Sequence, residues 1–272
     1  MASKRPLPFV LAATNHGSMI INRNDYRMVD ANTGYGVGYQ LLNTSCFDPE
    51  EISFAIALLN LRLKYFGKGV VAIDGGANVG AHTIEWAKHM YDWGTVHAFE
   101  AQEKIYYALA GNVAINNCLN ASAHFAALGA KSGEIKIPVP NYLVPASFGS
   151  LELKQNTNNE FIGQKIDYSD AAMQQVASKT IDGFNWPRVD LIKIDVEGME
   201  LDVLQGAEKT ISEAKPIMMI EIIKTDKAQV EAFLIKHEYQ IYPMGINVLA
   251  IHKSDPSLSH ISANANGLNL AM

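Results

Sequence analysis

The sequence predicts an α/β fold with an open, mostly parallel, doubly wound sheet, and three observations carry that prediction. First, an apolar run passes through an acid and a glycine-rich turn, Val70-Val-Ala-Ile-Asp-Gly-Gly-Ala-Asn-Val-Gly80, straight into the helical pattern Ala81-His-Thr-Ile-Glu-Trp-Ala87. Second, short apolar strands alternate with amphipathic helices over roughly 70–128 and again over 189–252. Third, three of those strands end in an acid: Asp74, Glu100 and Asp195. Ligands of such sheets bind beyond the carboxyl ends of the strands, so these three acids converge although they are far apart in the chain.

The elements follow in order. Ser18–Asn22 and Tyr26–Val29 read as short strands around the polar turn Asn22-Arg-Asn-Asp25, and Gly34–Gly38 reads as a loop, with a lid as the alternative. Asp48-Pro49-Glu50-Glu51 opens a helix, with Asp48 as N-cap and an apolar stripe of Ile52, Ile56, Leu59 and Leu63 running to Gly67. The core then reads as strand 70–74, helix 80–91, strand 95–99, helix 102–116 and strand 122–127. Gly133–Val139 is an extra strand, and 140–178, rich in Asn, Gln and Ser, is an insertion with one or two more. Alternation resumes with strand 189–194, helix 200–213, strand 216–220 and helix 226–237. The strands 239–242 and 247–252 form a closing hairpin around Pro243–Ile246. This divides the chain into an N-terminal extension (1–66) packing on the core, a core domain (67–253) with an insertion at about 133–178, and a tail (254–272) expected to be disordered.

Composition sets bounds. At 272 residues, 48% hydrophobic and 18% charged, the chain fits one elaborated domain with ample core. A net charge of −6 argues against a general nucleic-acid binder. Cys46 and Cys118 match no metal or redox spacing and read as two buried free thiols. No apolar run is long enough to span a membrane, and Leu7–Ala13, broken by Pro8, makes a poor signal peptide, so a cytoplasmic protein is expected.

The glycine turn narrows the ligand. Gly75 and Gly76 permit a sharp turn and close approach of a ligand, and Gly80 lets the next helix pack near the strand. The Gly-Lys-Ser/Thr ending of a phosphate loop is missing, and G-x-G-x-x-G is only loosely approached. Asp74 would repel a pyrophosphate but suits a cationic amine, as in S-adenosylmethionine (SAM). Ala77 and Asn78 complete the turn. Glu100, twenty residues after Gly80, could accept both ribose hydroxyls, and an adenine could lie against Ala127 and Leu128.

Lys193 and Asp195 share a face of a buried strand, where an unpaired lysine is costly; Glu221, ending the next strand, is the expected partner. That pair is either structural or positions substrate. Glu197 either binds substrate, caps the following helix, or does both. His82 is either a base beside the turn or a helix-start residue.

The run Leu191-Ile-Lys-Ile-Asp-Val-Glu-Gly-Met-Glu-Leu-Asp-Val-Leu-Gln-Gly-Ala207 resembles the signature of the FkbM family of SAM-dependent methyltransferases, and Asp74–Gly80 is similar to that family's first SAM motif. Thr180-Ile-Asp182 and the 216–221 strand sit where the family has theirs, and the resemblance spans roughly 70–253. It implies a Rossmann-like class I methyltransferase sheet of seven strands with an antiparallel hairpin. It also implies methyl transfer to a hydroxyl of a sugar or natural product. By motif position Asp74, Gly76 and Glu100 become SAM contacts, and Lys193, Asp195 and Glu197 lie beside the transferred methyl.

A hydroxyl acceptor must lose its proton. Asp195 is the first candidate base or orienter, then Glu197 and Glu221. A divalent metal on Asp195 and a second carboxylate is compatible with the sequence, but no compact ligand cluster demands it. The Asn/Asp-Pro-Pro-aromatic run of base methylases is replaced here by Asp195-Val-Glu-Gly198, which argues against nucleic acid as acceptor. Two alternatives stand beside the methyltransferase: a nicotinamide-dependent oxidoreductase, and a non-catalytic binding module on the same fold.

Overall fold

A hairpin opens the chain in the computed structural model, which describes residues 5–264 and 267–271. Strands β1 (Phe9–Thr14) and β2 (Gly17–Asn22) pair antiparallel; β1 occupies the apolar run that the sequence left unassigned. The second expected strand shrinks to β3 (Arg27–Met28), which pairs with β4 (Gly34–Tyr35). Gly34–Gly38 is therefore not simply a loop. It carries β4 and the start of helix α1 (Val37–Thr44), which buries Val37 and Leu41. Gly36 is needed between them: its φ is 132°, and an added Cβ would lie 2.7 Å from the Asp25 carbonyl oxygen.

Helix α2 (Pro49–Phe66) buries Ile52 and Leu59 of the expected stripe, and Ile56 and Leu63 pack at its margin. Asp48 does not cap it. That residue is left-handed, with φ 37°, and makes no side-chain bond to the helix; Pro49 and the first-turn acids Glu50 and Glu51 set the start instead.

The core alternates as read. In order come β5 (Val70–Gly75), α3 (Ala81–His89), β6 (Gly94–Glu100), α4 (Glu103–Ile115) and β7 (Ala121–Phe125). The expected strand 122–127 breaks at Ala126, and its end becomes β8 (Ala127–Leu128) in a second sheet with β9 (Gly133–Pro138) and β10 (Met173–Lys179). Between β9 and β10 the insertion is otherwise irregular apart from short 3-10 turns. Then follow β11 (Leu191–Ile194), α5 (Glu200–Gln205), α6 (Glu208–Ala214), β12 (Ile217–Glu221), α7 (Lys227–Lys236), β13 (Tyr239–Met244) and β14 (Asn247–His252). The single helix expected over 200–213 is split at Gly206-Ala207, and Gly206 backs onto the Gly129 carbonyl, where a Cβ would be 2.1 Å away. Asp182 then caps the second piece, accepting from the N–H groups of Lys209 (3.0 Å) and Thr210 (2.8 Å).

The central sheet has the order β13-β14-β12-β11-β5-β6-β7. β14 alone runs against its neighbours, inserted between β12 and β13, and this is the seven-stranded class I methyltransferase arrangement. Strand residues alternate between two apolar layers. Ala72, Leu191, Ile217 and Met219 face the α2–α3 side, while Ile73, Ile192, Met218 and Ile220 face α5, α6 and α7. Asn112 of α4, fully buried, fastens the N-terminal hairpin to this core. It exchanges bonds with Ile20 N and O and donates to Val79 O (2.9 Å).

The tail is a correction. A 3-10 turn at Pro256–His260 leads to a hairpin of β15 (Ile261–Asn264) and β16 (Gly267–Leu270). Disorder was expected from its polar composition, but Leu258, Ile261, Leu268 and Leu270 pack on the core, and Asp255 caps the turn through Ser257 N (2.7 Å). Residues 265, 266 and 272 of that tail, like 1–4 of the N-terminal extension, lie outside the described residues. Cys118 is buried, but Cys46 is only half-buried. Among the described residues no helix is long and apolar enough to cross a membrane.

One buried ion network ties this tail to the sheet. Arg62 is 4% exposed, bonds Asp190 through Nε (2.9 Å) and pairs with Asp255, while Asp190 also accepts from Val71 N (3.0 Å). Arg62→Leu leaves buried Asp255 without an ion-pair partner among the described residues, while Asp190 keeps Arg188 Nε at 2.7 Å, and it is expected to lower stability by about 3 kcal/mol in urea unfolding. A loss below about 1 kcal/mol, the scale of an exposed pair, would contradict this account.

Candidate functional site

A cavity of about 360 Å³ opens where the carboxyl ends of β5, β6, β11 and β12 meet. Asp74, near the end of β5, is 1% exposed and lines it. Its Oδ2 accepts from Thr83 Oγ1 (2.6 Å), whereas its buried Oδ1 has no hydrogen-bond partner among the described residues. Gly76, Ala77 and Asn78 also line the cavity. Gly76 has φ 77°, and an added Cβ would stand 1.7 Å from the Asp195 carbonyl oxygen, so no side chain fits there. Gly75 and Gly80 support the turn without lining the cavity. Gly80 makes its close approach to Leu109 of α4, 2.6 Å from an added Cβ, rather than to the strand.

Glu100, the last residue of β6, accepts from Gln102 N (2.7 Å) and Asn78 N (3.0 Å), which locks the acid to the glycine turn. Burial raises its pKa to about 7 against the lowering effect of those N–H groups. Ala127 and Leu128, with Phe99 and Ala126, supply an apolar wall beside it. Gln102, which sequence reasoning missed, donates to Phe148 O (2.8 Å) and so anchors the insertion to the cavity rim.

The other half of the site lies at β11 and β12. Lys193 is 6% exposed and donates to Asp195 Oδ2 (2.8 Å). Glu221, its expected partner, is not bonded to it. Lys193 stands opposite Met219 in register, two residues short of Glu221, whereas Asp195 follows on its own face of the strand. Burial alone would lower the Lys193 pKa, but the carboxylates of Asp195, Asp74 and Glu51 overrule it and raise it. Glu197 sits at φ 54°, followed by Gly198 at φ 96°. Glu200, not Glu197, closes this loop, taking Val196 N and Gly198 N at 3.1 Å each.

The Glu197 carboxylate instead meets Lys224, with Nζ 2.6 Å from Oε2. This is a close ion pair off hydrogen-bonding angle, since Oε2 has no hydrogen-bond partner among the described residues. Lys224 also donates to Ser150 O (2.8 Å) and pairs with Glu160 (2.9 Å), which in turn bonds Tyr35 of the N-terminal extension. Asp195, Glu197 and Glu221 each bring an oxygen within 4.8 Å of the others. They thus form the compact carboxylate cluster that the sequence did not reveal. Burial first, and repulsion from Asp195 second, hold both Glu197 and Glu221 well above the usual carboxylate range.

His82 lines the cavity but is committed elsewhere. It lies 3.1 Å from Glu51 Oε1 and edge-on to Trp86 and Phe47. Glu51 also accepts from Asn247 Nδ2 (2.6 Å), so a seam of three elements closes this side. Glu51 read in the sequence only as a helix-start acid, and Asn247, Glu160 and Lys224 carried no motif at all.

The Methyltransferase FkbM domain matches residues 74–241, which hold both halves of the site. Among curated relatives, "Methyltransferase 1" of Beauveria bassiana is 28% identical over 146 residues, covering 50% of this chain and 57% of that protein. The chain's match thus spans little more than half of that relative's length. "Methyltransferase sdnD" of Sordaria araneosa is 28% identical over 185 residues, covering 60% of this chain and 70% of that protein. The solved FkbM methyltransferase of Methylobacillus flagellatus KT superposes with a TM-score of 0.47 at 18% identity, covering 79% of this chain and 58% of the other.

The Gly76 contact is a direct test of the turn. Gly76→Ala is expected to lower the thermal unfolding midpoint, since left-handed strain alone costs about 1–3 kcal/mol and the clash with the 195 carbonyl adds to it. An unchanged midpoint would show that this close approach does not exist in solution.

Proposed function

We propose that this chain, which belongs to the FkbM methyltransferase family, transfers a methyl group from SAM to a hydroxyl of a small molecule or glycan. One observation carries the reading. A single cavity contains a buried acid with an unpartnered oxygen on the glycine turn, Asp74, and a cluster of three carboxylates on the neighbouring strand ends. The first suits a cofactor with a cationic amine, and the second suits an acceptor that must shed a proton.

The residues fit the cofactor's chemistry. Asp74 Oδ1 is free to accept from the amine, and Glu100, already fixed by two backbone N–H groups, has lone pairs left for ribose hydroxyls. Ala127 and Leu128, with Phe99, give a purine an apolar face, and the bare backbone of Gly76 allows close approach. When bound, SAM supplies a methyl on a sulfonium, whose carbon–sulfur bond breaks as the oxygen–carbon bond forms. The chain's own contribution is orientation, exclusion of water, and a home for the acceptor's proton among Asp195, Glu197 and Glu221. Lys193 acts one step back, holding Asp195 in place. His82, bound to Glu51, is better suited to shaping the wall than to taking that proton.

The family match favours this reading over a nicotinamide-dependent oxidoreductase, and the intact set of acids favours it over a non-catalytic module. It is tested with isotopically labelled methyl-SAM and a panel of glycosides and polyols. A methoxy product is expected; methylation only at nitrogen or carbon overturns the hydroxyl assignment.

A pH dependence follows from Glu100. Ribose hydroxyls need its ionised form, so affinity for S-adenosylhomocysteine is expected to be constant well above pH 7 and to fall as pH drops through about 7. Glu100→Gln should bind more weakly, with that dependence removed. The sign for stability is opposite: a carboxyl raised from 4.5 to about 7 favours the fold below 4.5, and that contribution is lost as pH rises through 7.

A further inference from the structure

We propose that Asp195, Glu197 and Glu221 form a divalent-cation site that takes an oxygen-preferring ion of the Mg²⁺ or Mn²⁺ class. Geometry is the first ground. One oxygen from each carboxylate lies within 4.8 Å of the others, and oxygens bound about 2.0–2.6 Å from one ion stand roughly 3–5 Å apart. A set of carboxylate oxygens without thiolate or imidazole suits a hard cation rather than zinc.

Glu221 is the second ground. It is 9% exposed and lines the cavity, and its Oε1 has no hydrogen-bond partner among the described residues. An ionised carboxylate so placed is costly unless a cation meets it. Charge counting points the same way. Lys193 neutralises Asp195 through Oδ2 and Lys224 neutralises Glu197 through Oε2, while Glu221 is in no ion pair among the described residues. Each lysine sits on one oxygen of its partner, which leaves the other to an ion.

The three ligands are held by rigid structure. Asp195 and Glu221 stand at the ends of the adjacent parallel strands β11 and β12, and the Glu197 loop is fastened by Glu200. The ion's role rests on the methyl-transfer reading: it would hold the acceptor hydroxyl beside the glycine turn and favour loss of its proton to a carboxylate oxygen not engaged by the ion. Its binding does not rest on that reading.

The test is a titration of the full chain with Mn²⁺, followed by loss of the free-ion electron paramagnetic resonance signal and by calorimetry. Wild type is compared with Glu221→Gln and Asp195→Asn, with thermal unfolding as the check on folding. One saturable site, competed by Mg²⁺ and weakened about tenfold or more in each variant, is expected. Failure of wild type to saturate, or binding kept intact by both variants, overturns the site; should one variant not fold, Glu197→Gln takes its place. S-adenosylhomocysteine titrated into the same samples separates the two claims. A chain that binds it but not Mn²⁺ loses the cation site alone, and one that binds Mn²⁺ but not the nucleoside keeps the site and loses the methyl-transfer reading.

Discussion

Lys193 lies in the middle of a sheet covered on both faces, and its ammonium persists there because Asp195, Asp74 and Glu51 surround it. A buried lysine without such partners would lose its charge or the strand its place. Three separate pieces of chain are therefore held in one charge balance: the end of β5, the loop after β11, and the first turn of α2. The last residues of the strands are where open α/β sheets leave polar groups beside a cavity. In this chain that rule is met by acids, and the lysine inside the sheet makes their proximity affordable.

A second lysine does for the outer half what Lys193 does for the inner. Lys224 touches Ser150 and Glu160 of the insertion and Glu197 of the signature loop, and Glu160 continues to Tyr35 of the N-terminal extension. Two regions foreign to the bare methyltransferase sheet are thus joined across the cavity by ionic contacts, in addition to a shared apolar cluster that holds Val37 and Leu41 with Phe148 and Leu151. Hydrophobic burial places these segments near the site, and the charged contacts set where they stop.

Much of this was legible in the residues. The Val70–Gly80 run exposes the strand, the turn and the helix together, because apolar period and glycine need no partner to be read. Asp74, Glu100 and Asp195 could be placed in one site from topology alone. What stayed hidden depends on contacts between distant segments. Glu221 was expected on Lys193, since spacing shows shared faces but not parallel-strand register. Glu160 and Lys224 carry no motif, and their meeting depends on a fold of the insertion that no periodicity encodes. The tail failed for a related reason: its few apolar residues and Asp255 find partners in α2 and β13–β14 surroundings that composition does not reveal.

The account's central claim is that the strand-end acids receive a cationic, phosphate-free cofactor. Calorimetric titration of the purified chain with SAM, and separately with NAD⁺, tests it most directly. The account predicts saturable binding of SAM and none of NAD⁺, whose pyrophosphate would face Asp74. Saturable binding of NAD⁺ without binding of SAM would contradict it.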